Sequence, residues 1–196
     1  MTYYNGFPIQ ILRGPVPLSH LLLQNFVRDG YSAVDATCGN GHDTLLLAQL
    51  VGAGGHVWAF DIQQQAINAT GDRLAEESLT NRATLIQRGH EELARYVTSP
   101  VQTVLFNLGY LPGGDRSIIT LPDTTVIALK QSLELLMPNG IVIVTIYPGH
   151  NGGNEEQSAV ENWATMLDPR EFQCWRMNQI NVSTSAPYMI LVQKTS

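Results

Sequence analysis

The sequence predicts an α/β fold, in which one mostly parallel sheet carries helices on both faces. Short apolar segments alternate with helical segments along the chain, as is typical of a parallel sheet covered on both sides. A glycine-containing turn, residues 35–44, joins the first apolar segment to a helix, as in nucleotide-binding half-sheets. Two extended segments close the chain, at 172–181 and 188–194, and predict an antiparallel pair at one edge of a seven-stranded sheet.

The elements follow from the same alternation. Five apolar segments predict the parallel strands, at residues 32–36, 56–60, 83–87, 101–106 and 141–146. Helices are predicted at 17–28, 43–50, 63–77, 91–97 and 122–136, and a sixth begins after Asn154 and ends near Leu167. Residues 137–140, Met-Pro-Asn-Gly, predict a turn that stops the fifth helix, and Asn154 is predicted to cap the sixth. We expect a single domain over 1–196, with 1–30 as an N-terminal helix or lid segment.

Composition narrows the class of protein. The chain has 196 residues, of which 44% are hydrophobic and 14% charged, and this balance indicates a globular domain. Its net charge of −6 argues against a surface that coats nucleic acid, although a local basic patch remains compatible with it. No apolar run reaches the roughly 18 residues of a membrane span, and we expect no membrane association and no secretory signal.

The cysteines and histidines predict neither a disulfide framework nor a metal site. Only two cysteines are present, Cys38 and Cys174, and this count favours a reducing, cytoplasmic compartment. Cys38 and His42 are four residues apart, but no second pair completes a set of metal ligands.

The turn at 35–44 favours a cationic nucleotide over a dinucleotide. Gly39 and Gly41 let the backbone approach a ligand, but a third glycine is missing, because Thr44 stands in its place. Asp35 and Asp43 would repel a pyrophosphate. They suit S-adenosylmethionine, which carries an ammonium and a sulfonium, and Asp61 at the end of the next strand can accept hydrogen bonds from its ribose. The alternative is that both acids merely cap the helix and the loop.

Residues around this turn and at two neighbouring strand ends form the predicted cofactor site. His90 is placed beside the adenine, and the alternative is that it is an ordinary first residue of a helix. The predicted cofactor-binding residues are Asp35, Thr37, Cys38, Gly39, Asn40, Gly41, Asp43, Thr44, Asp61, Ile62, Gly89, His90, Asn107 and Leu108.

The loop after the fourth strand predicts methylation of an amine. Asn107-Leu108-Gly109-Tyr110 is similar to the Asn-Pro-Pro-Tyr motif of amino-methylating enzymes, without its two prolines. An Asn side-chain oxygen can hold the hydrogens of an amine, and an aromatic ring can stack on a base. A purely structural glycine-rich loop is the alternative.

Further candidates lie on neighbouring loops. The predicted catalytic residues are Asn107, Tyr110, Asp115, Tyr147 and His150, and the predicted RNA contacts are Arg13 and Arg116. Ser19 and His20 are candidates for part of a lid. Arg82, Arg88 and Arg95 form either a second basic cluster or an ordinary solvated surface.

Four segments in order resemble the MnmM/YtqB family, over nearly the whole chain. They are Asp-Ala-Thr-Cys-Gly-Asn-Gly-His-Asp-Thr at 35–44, His-Glu at 90–91, Asn-Leu-Gly-Tyr-Leu-Pro-Gly-Gly-Asp at 107–115 and Tyr-Pro-Gly-His at 147–150. The resemblance implies a class I methyltransferase that uses S-adenosylmethionine. Its implied substrate is the aminomethyl group of 5-aminomethyl-(2-thio)uridine at the wobble position of tRNA, which becomes the 5-methylaminomethyl form. Gly89 departs from the polar residue expected beside the His-Glu pair.

The implied partner is a tRNA anticodon stem-loop. Because the chain has few basic residues, we expect a homodimer to embrace it. A methyltransferase for rRNA or for a small amine is the second hypothesis, and a cofactor-binding module without catalysis is the third.

Overall fold

We analysed a computed structural model of the chain, which describes residues 3–4, 7–8, 12–149 and 152–195. The strands are β1 (Tyr3–Tyr4), β2 (Phe7–Pro8), β3 (Ser32–Asp35), β4 (His56–Phe60), β5 (Ala83–Ile86), β6 (Val101–Asn107), β7 (Leu136–Ile146), β8 (Phe172–Met177) and β9 (Tyr188–Lys194). The helices are α1 (Pro15–Phe26), α2 (His42–Leu50), α3 (Gln64–Glu76), α4 (Leu93–Tyr96), α5 (Pro122–Leu135) and α6 (Gly153–Thr165). Two short 3₁₀ helices, Thr80–Arg82 and His90–Glu92, precede β5 and α4.

The predicted α/β fold with a seven-stranded sheet is confirmed. The strand order is β5-β4-β3-β6-β7-β9-β8, and β1 and β2 pair separately. Strands β3 to β7 run parallel, whereas β9 is antiparallel to both β7 and β8. The order reverses between β3 and β6, and ligands of open α/β sheets bind at such a switch point, beyond the carboxyl ends of the strands.

Two apolar layers hold the helices on opposite faces of the sheet. Leu23 of α1, Leu47 of α2 and Leu74 of α3 are buried in one layer. Leu129 of α5 and Val160 of α6 are buried in the other. Strand β7 supplies both layers: Ile141 and Ile143 face α1 and α2, and Val142, Val144 and Ile146 face α5 and α6. Burial on both sides explains why this strand reads as a continuous apolar run.

Three predicted boundaries and one predicted helix cap are wrong in detail. Helix α1 begins at Pro15, earlier than predicted, because Pro is tolerated in a first turn whose amides need no intrahelical partner. Strand β8 ends at Met177, before the predicted 181. Helix α6 begins at Gly153, and its cap is Gly152, with a positive φ of 81°, so Asn154 lies inside the first turn and is not the cap.

Residues 137–140 form a bulge in β7 where the sequence predicts a turn. Leu136 pairs with Val101 and Ile141 with Thr103, so β7 inserts three extra residues into its pairing with β6. Asn139 accommodates the bulge with a φ of 62°. Asn is among the residues that adopt this left-handed conformation at low cost. Because residues 137–140 are a bulge within the strand and not a turn before it, the chain enters β7 directly from α5.

No described helix meets the length and apolarity needed to cross a lipid bilayer.

Replacing Leu23 with Ala should lower the free energy of unfolding by about 2–5 kcal/mol, because the side chain is fully buried between α1 and the sheet. Urea denaturation measures the change. Leu21→Ala is the matched control on the same helix; Leu21 is 41% exposed, and its loss should cost about 0.5 kcal/mol or less. Equal losses in the two variants would contradict the assignment of α1 to the core of a single domain.

Candidate active site

A cavity of about 710 Å³ opens at the carboxyl edge of the sheet, over the switch point between β3 and β6. This volume falls within the roughly 300–1,000 Å³ usual for ligand pockets. Its walls come from the ends of β3, β4, β5, β6 and β7 and from the loop between β8 and β9. Of the predicted site residues, Thr37, Gly39, Asp61, Ile62, Gly89, His90, Asn107, Leu108, Tyr110, Arg116 and Tyr147 line it.

The remaining described site residues lie behind or outside the cavity wall. Asp35, Cys38, Asn40, Gly41, Asp43 and Thr44 belong to the turn and the start of α2 but do not line the cavity, and neither do Arg13 and Asp115. His150 falls outside the described residues.

Asp35 stabilises the turn from beneath. Its carboxylate is fully buried and accepts hydrogen bonds from the Thr44 hydroxyl at 2.6 Å and from the Thr37 backbone N–H at 3.2 Å. Burial, together with the nearby negative charge of Asp43, raises the pKa of Asp35 to about 7. The carboxyl group therefore supports the loop, and its proton is retained far above the usual range for an aspartate.

Helix α3 holds the glycines of the turn from the side. Gly41 has a φ of 78°, and a Cβ built on it would lie 2.7 Å from the Thr70 Cα, so a larger residue would displace the helix. The Thr70 hydroxyl donates to the Gly39 carbonyl at 3.1 Å, and Arg73 Nε donates to the Asn40 carbonyl at 2.9 Å. Contacts within the protein therefore hold the shape of the turn.

Asp61 lies at the rim of the cavity, at the end of β4. Its two oxygens accept from the backbone N–H groups of Gly39, at 3.1 Å, and Gln63, at 2.9 Å. Partial burial raises the pKa of this carboxyl. Since a carboxylate can accept about four hydrogen bonds, its remaining acceptor capacity is available to a diol.

His90 and Gly89 form the opposite wall. Burial lowers the pKa of His90, which keeps the imidazole neutral, and its ring meets the Phe106 ring edge to face at 5.6 Å. A Cβ on Gly89 would overlap the Glu91 carboxylate, which folds back over this position. Because the flexible Glu91 side chain can turn away, this contact does not by itself exclude a side chain at residue 89.

Asn107 ends β6 at the centre of the cavity wall. Its backbone N–H donates to the Thr37 hydroxyl at 2.7 Å, and its side-chain Nδ2 donates to Asp43 Oδ2 at 2.6 Å. Its side-chain oxygen, Oδ1, is buried and has no hydrogen-bond partner among the described residues. A buried acceptor without a partner costs about 1–3 kcal/mol. The atom has almost no accessible surface, so a ligand can donate to it only if a neighbouring side chain moves aside.

The loop after Asn107 is anchored at both ends. Thr120 donates its backbone N–H to the Gly109 carbonyl at 2.9 Å, and its hydroxyl accepts from the Gly109 N–H at 2.8 Å. The same hydroxyl donates to Glu156 of α6 at 2.7 Å, and Thr125 of α5 donates to the other Glu156 oxygen, also at 2.7 Å. Between these anchors, the Arg116 guanidinium lies over the Tyr110 ring at 5.5 Å.

The other predicted catalytic residues differ in position. Tyr147 lines the cavity, and burial together with the charge of Asp43 raises its pKa, so its hydroxyl stays protonated and can donate a hydrogen bond. The exposed Asp115 accepts from the backbone N–H and hydroxyl of Ser117, and these bonds lower its pKa. Its carboxylate is therefore a weak base that stabilises its own turn.

The three arginines considered as a second basic cluster have separate roles. Arg82 donates to the Ala48 carbonyl at 3.2 Å, and Arg95 pairs with Glu92 at 2.5 Å. Of the three, Arg88 alone lines the cavity. Within the described part of the chain, no group of three or more His, Cys, Asp or Glu side chains is arranged to hold a metal ion.

Sequence reasoning missed the contribution of Glu156 and the contact between His20 and Asp43. The signal for Glu156 was weak, since an acid in the first turn of a helix is common on an exposed surface. His20 Nε2 lies 2.5 Å from Asp43 Oδ1, although 23 residues separate them. No local pattern reveals such a contact, because it depends on how α1 packs against α2.

The raised pKa of Asp35 predicts a pH dependence of stability. Between the unfolded value near 3.8 and the folded value near 7, the folded state binds the extra proton. The contribution of Asp35 to the free energy of unfolding is therefore complete below about pH 4 and is lost as the pH rises through about 7. Urea unfolding from pH 4 to pH 8 should show this decline in the wild type and not in Asp35→Asn. Asp72→Asn, on the exposed side of α3, is the control, and a D35N profile parallel to the wild type would contradict the shift.

The chain is similar in sequence to a described protein family and to a plant methyltransferase. Residues 57–193 match the family described as "Putative rRNA methylase". The chain is 36% identical over 188 residues to "tRNA (mnm(5)s(2)U34)-methyltransferase, chloroplastic" from Arabidopsis thaliana, a match covering 90% of this chain and 68% of the relative.

Two solved structures share the fold over nearly their full length. A structure described as a putative rRNA methylase from Clostridium thermocellum superposes with a TM-score of 0.91 at 42% identity, covering 94% of this chain and 100% of that chain. A putative methyltransferase from Streptococcus mutans in complex with SAH superposes with a TM-score of 0.85 at 34% identity, covering 94% and 99%. The chain therefore belongs to the "Putative rRNA methylase" family, and the family resemblance of its four motifs is confirmed.

Proposed function

We propose that this protein is an S-adenosylmethionine-dependent N-methyltransferase. Its proposed substrate is the aminomethyl group of wobble-position 5-aminomethyl-(2-thio)uridine in tRNA, which it converts to the 5-methylaminomethyl form. The observation that carries the proposal is the buried Asn107 Oδ1, which lacks a partner among the described residues and lies where the sheet order reverses. The Arabidopsis relative, a tRNA methyltransferase by name, supports the choice of substrate.

The cavity fits the cofactor. Gly39 leaves the backbone open, Asp61 has acceptor positions for the ribose hydroxyls, and the neutral His90 offers an apolar wall for an adenine. Asp43 and the other residues of the turn that do not line the cavity are proposed to contribute through the shape and negative charge of the turn. When bound, S-adenosylmethionine supplies a methyl group on a sulfonium, and an amine lone pair can attack that group.

The residues at the end of β6 and β7 are proposed to prepare the amine. Asn107 Oδ1 accepts an N–H of the neutral amine and thereby aims its lone pair at the methyl group. Tyr147, whose hydroxyl stays protonated, contacts the base as a hydrogen-bond donor. Because Asp115 is a weakened base, we place proton loss after methyl transfer on solvent or on His150, which lies outside the described residues.

RNA recognition is proposed for the loop that follows Asn107. Tyr110 is 38% exposed and can stack on a base, while Arg116 beside it can contact a phosphate. Arg13 is exposed before α1 and would contact RNA away from the cavity.

A small amine is the second candidate substrate. The net charge of −6 favours it, since RNA-binding surfaces are usually basic. An rRNA substrate is compatible with the family description, and a cofactor-binding module without catalysis would leave the Asn107 acceptor without a purpose.

The chemistry is tested by nucleoside mass spectrometry. Purified protein with S-adenosylmethionine should add one methyl to 5-aminomethyl-(2-thio)uridine in tRNA that lacks the modification. Asn107→Ala should lower turnover by about 100-fold, because the amine loses its orientation, while SAH affinity changes little. Asn68→Ala, on the exposed surface of α3, serves as the control. Methyl transfer to small amines with none to tRNA would favour the second candidate, and unchanged turnover in N107A would refute the role of Asn107.

We also propose a homodimer in the cytoplasm. Strand β8 is an edge of the sheet, and Trp175 on it is 59% exposed, which is unusual for a large aromatic side chain and suits a subunit contact. The exposed free thiol of Cys174 suits a reducing compartment.

Sedimentation equilibrium tests the dimer. The wild type should sediment as a dimer and Trp175→Glu as a monomer, because a charge in an apolar contact is costly. Ile127→Glu, at a 47% exposed site on α5, should leave the assembly unchanged. A monomeric wild type would contradict the proposal.

A further inference from the structure

We infer that His20 and Asp43 are positioning residues that set the orientation of the Asn107 side-chain amide, so that its oxygen, and not its nitrogen, is the end left for the amine. The inference rests on the proposed amine methylation at Asn107 and assigns His20 a role that its sequence context does not reveal. Three elements meet in this chain of hydrogen bonds: α1 supplies His20, α2 supplies Asp43, and β6 supplies Asn107.

The carboxylate of Asp43 determines which end of the amide faces it. An ionised carboxylate only accepts hydrogen bonds, so the group of Asn107 that approaches Oδ2 at 2.6 Å must be the amide nitrogen. The amide oxygen then points away from Asp43. If residue 43 could donate, the amide could turn over and present its nitrogen instead, which cannot accept an N–H from an amine.

His20 stabilises this arrangement from the far side. Its Nε2 lies 2.5 Å from Asp43 Oδ1, so the imidazole must carry a hydrogen on Nε2 and donate it to the carboxylate. With one oxygen bonded to His20 and the other to Asn107, rotation of the carboxylate is restricted at both oxygens. Side-chain exposures of 25% for His20 and 15% for Asp43 shield the pair from much of the competition with water.

No described neighbour satisfies the oxygen that this arrangement presents. Thr145 is the register partner of Asn107 on β7, and its own hydroxyl is buried and equally without a partner among the described residues. The Asn107 backbone is held separately by the Thr37 hydroxyl, so His20 and Asp43 affect the amide group and not the course of the strand. Neither His20 nor Asp43 lines the cavity, and both therefore act through Asn107.

Steady-state kinetics on the full-length protein tests the inference with two variants at one position. His20→Leu removes the donor and should lower kcat by about ten-fold, the size expected for the loss of one charge-assisted hydrogen bond. His20→Gln keeps a donor where Nε2 stands and should stay within about three-fold of the wild type, on the same measure. SAH affinity, measured by calorimetry, should change by less than about two-fold in both variants, because His20 does not line the cavity.

A charge transposition provides the second arm. Asp43→Asn can donate to Asn107 and should lower kcat as His20→Leu does. In the double variant D43N/N107D, the amide introduced at position 43 donates to the carboxylate introduced at position 107, and the second oxygen of that carboxylate is left for the amine. Its kcat should therefore exceed that of D43N and that of N107D. His56→Leu is the control. His56 is the first residue of β4, at the edge of the sheet opposite the cavity, and its ring bonds the Thr84 hydroxyl at 2.8 Å.

The outcomes separate this inference from the function on which it rests. Equal losses in H20L and H20Q, or wild-type kcat in H20L, would overturn the inference while N107A remained inactive and the function stood. If the wild type methylates no aminomethyluridine, the function itself fails. Should H20L not fold, the Asn107 side-chain amide resonances in ¹⁵N spectra decide: they should shift in D43N and stay in place in H20Q, and unchanged resonances in D43N would overturn the inference.

Discussion

The parallel pairing of β3 with β6 is the constraint on which the rest of this structure depends. Asp35 lies opposite Leu105, and the backbone continues the pairing one residue further, where the Ala36 N–H donates to the Leu105 carbonyl at 2.8 Å. These two strands come from different halves of the chain, and their loops diverge from this point. The cavity exists because the loops part here, and Asn107 reaches the glycine turn because the strands meet here.

Much of the fold could be predicted because burial on both faces leaves a strong pattern. The strands near β7 are nearly continuous apolar runs, and glycine or proline marks most of their ends. The errors arose where tertiary context decides. Asn139 could be taken for part of a turn or, as in the structure, for part of a bulge, and only the pairing with β6 distinguishes the two.

The candidate site was predictable to the extent that it follows strand ends. Asp61, His90 and Asn107 each end or follow a strand and meet at one edge, as parallel strands require. The functions within the turn were harder to assign, since Asp35 and Asp43 look alike in sequence. The structure separates them: Asp35 is buried under the loop, whereas Asp43 links α1 to β6. That difference depends on long-range packing, and no spacing rule encodes it.

The loop from Gly109 to Thr120 is fixed at both of its ends. The two ends are hydrogen bonded to each other and, through Glu156, to α6. The middle of the loop, which carries Tyr110 and Arg116, belongs to neither apolar layer. Leu111 lies beside Gly39, and the Pro112 carbonyl accepts from Asn40 Nδ2 at 3.1 Å, so these two residues support the glycine turn. The side chains of Tyr110 and Arg116 can change without loosening it. Changes of side chain at these two positions can therefore alter one wall of the cavity while the glycine turn stays the same.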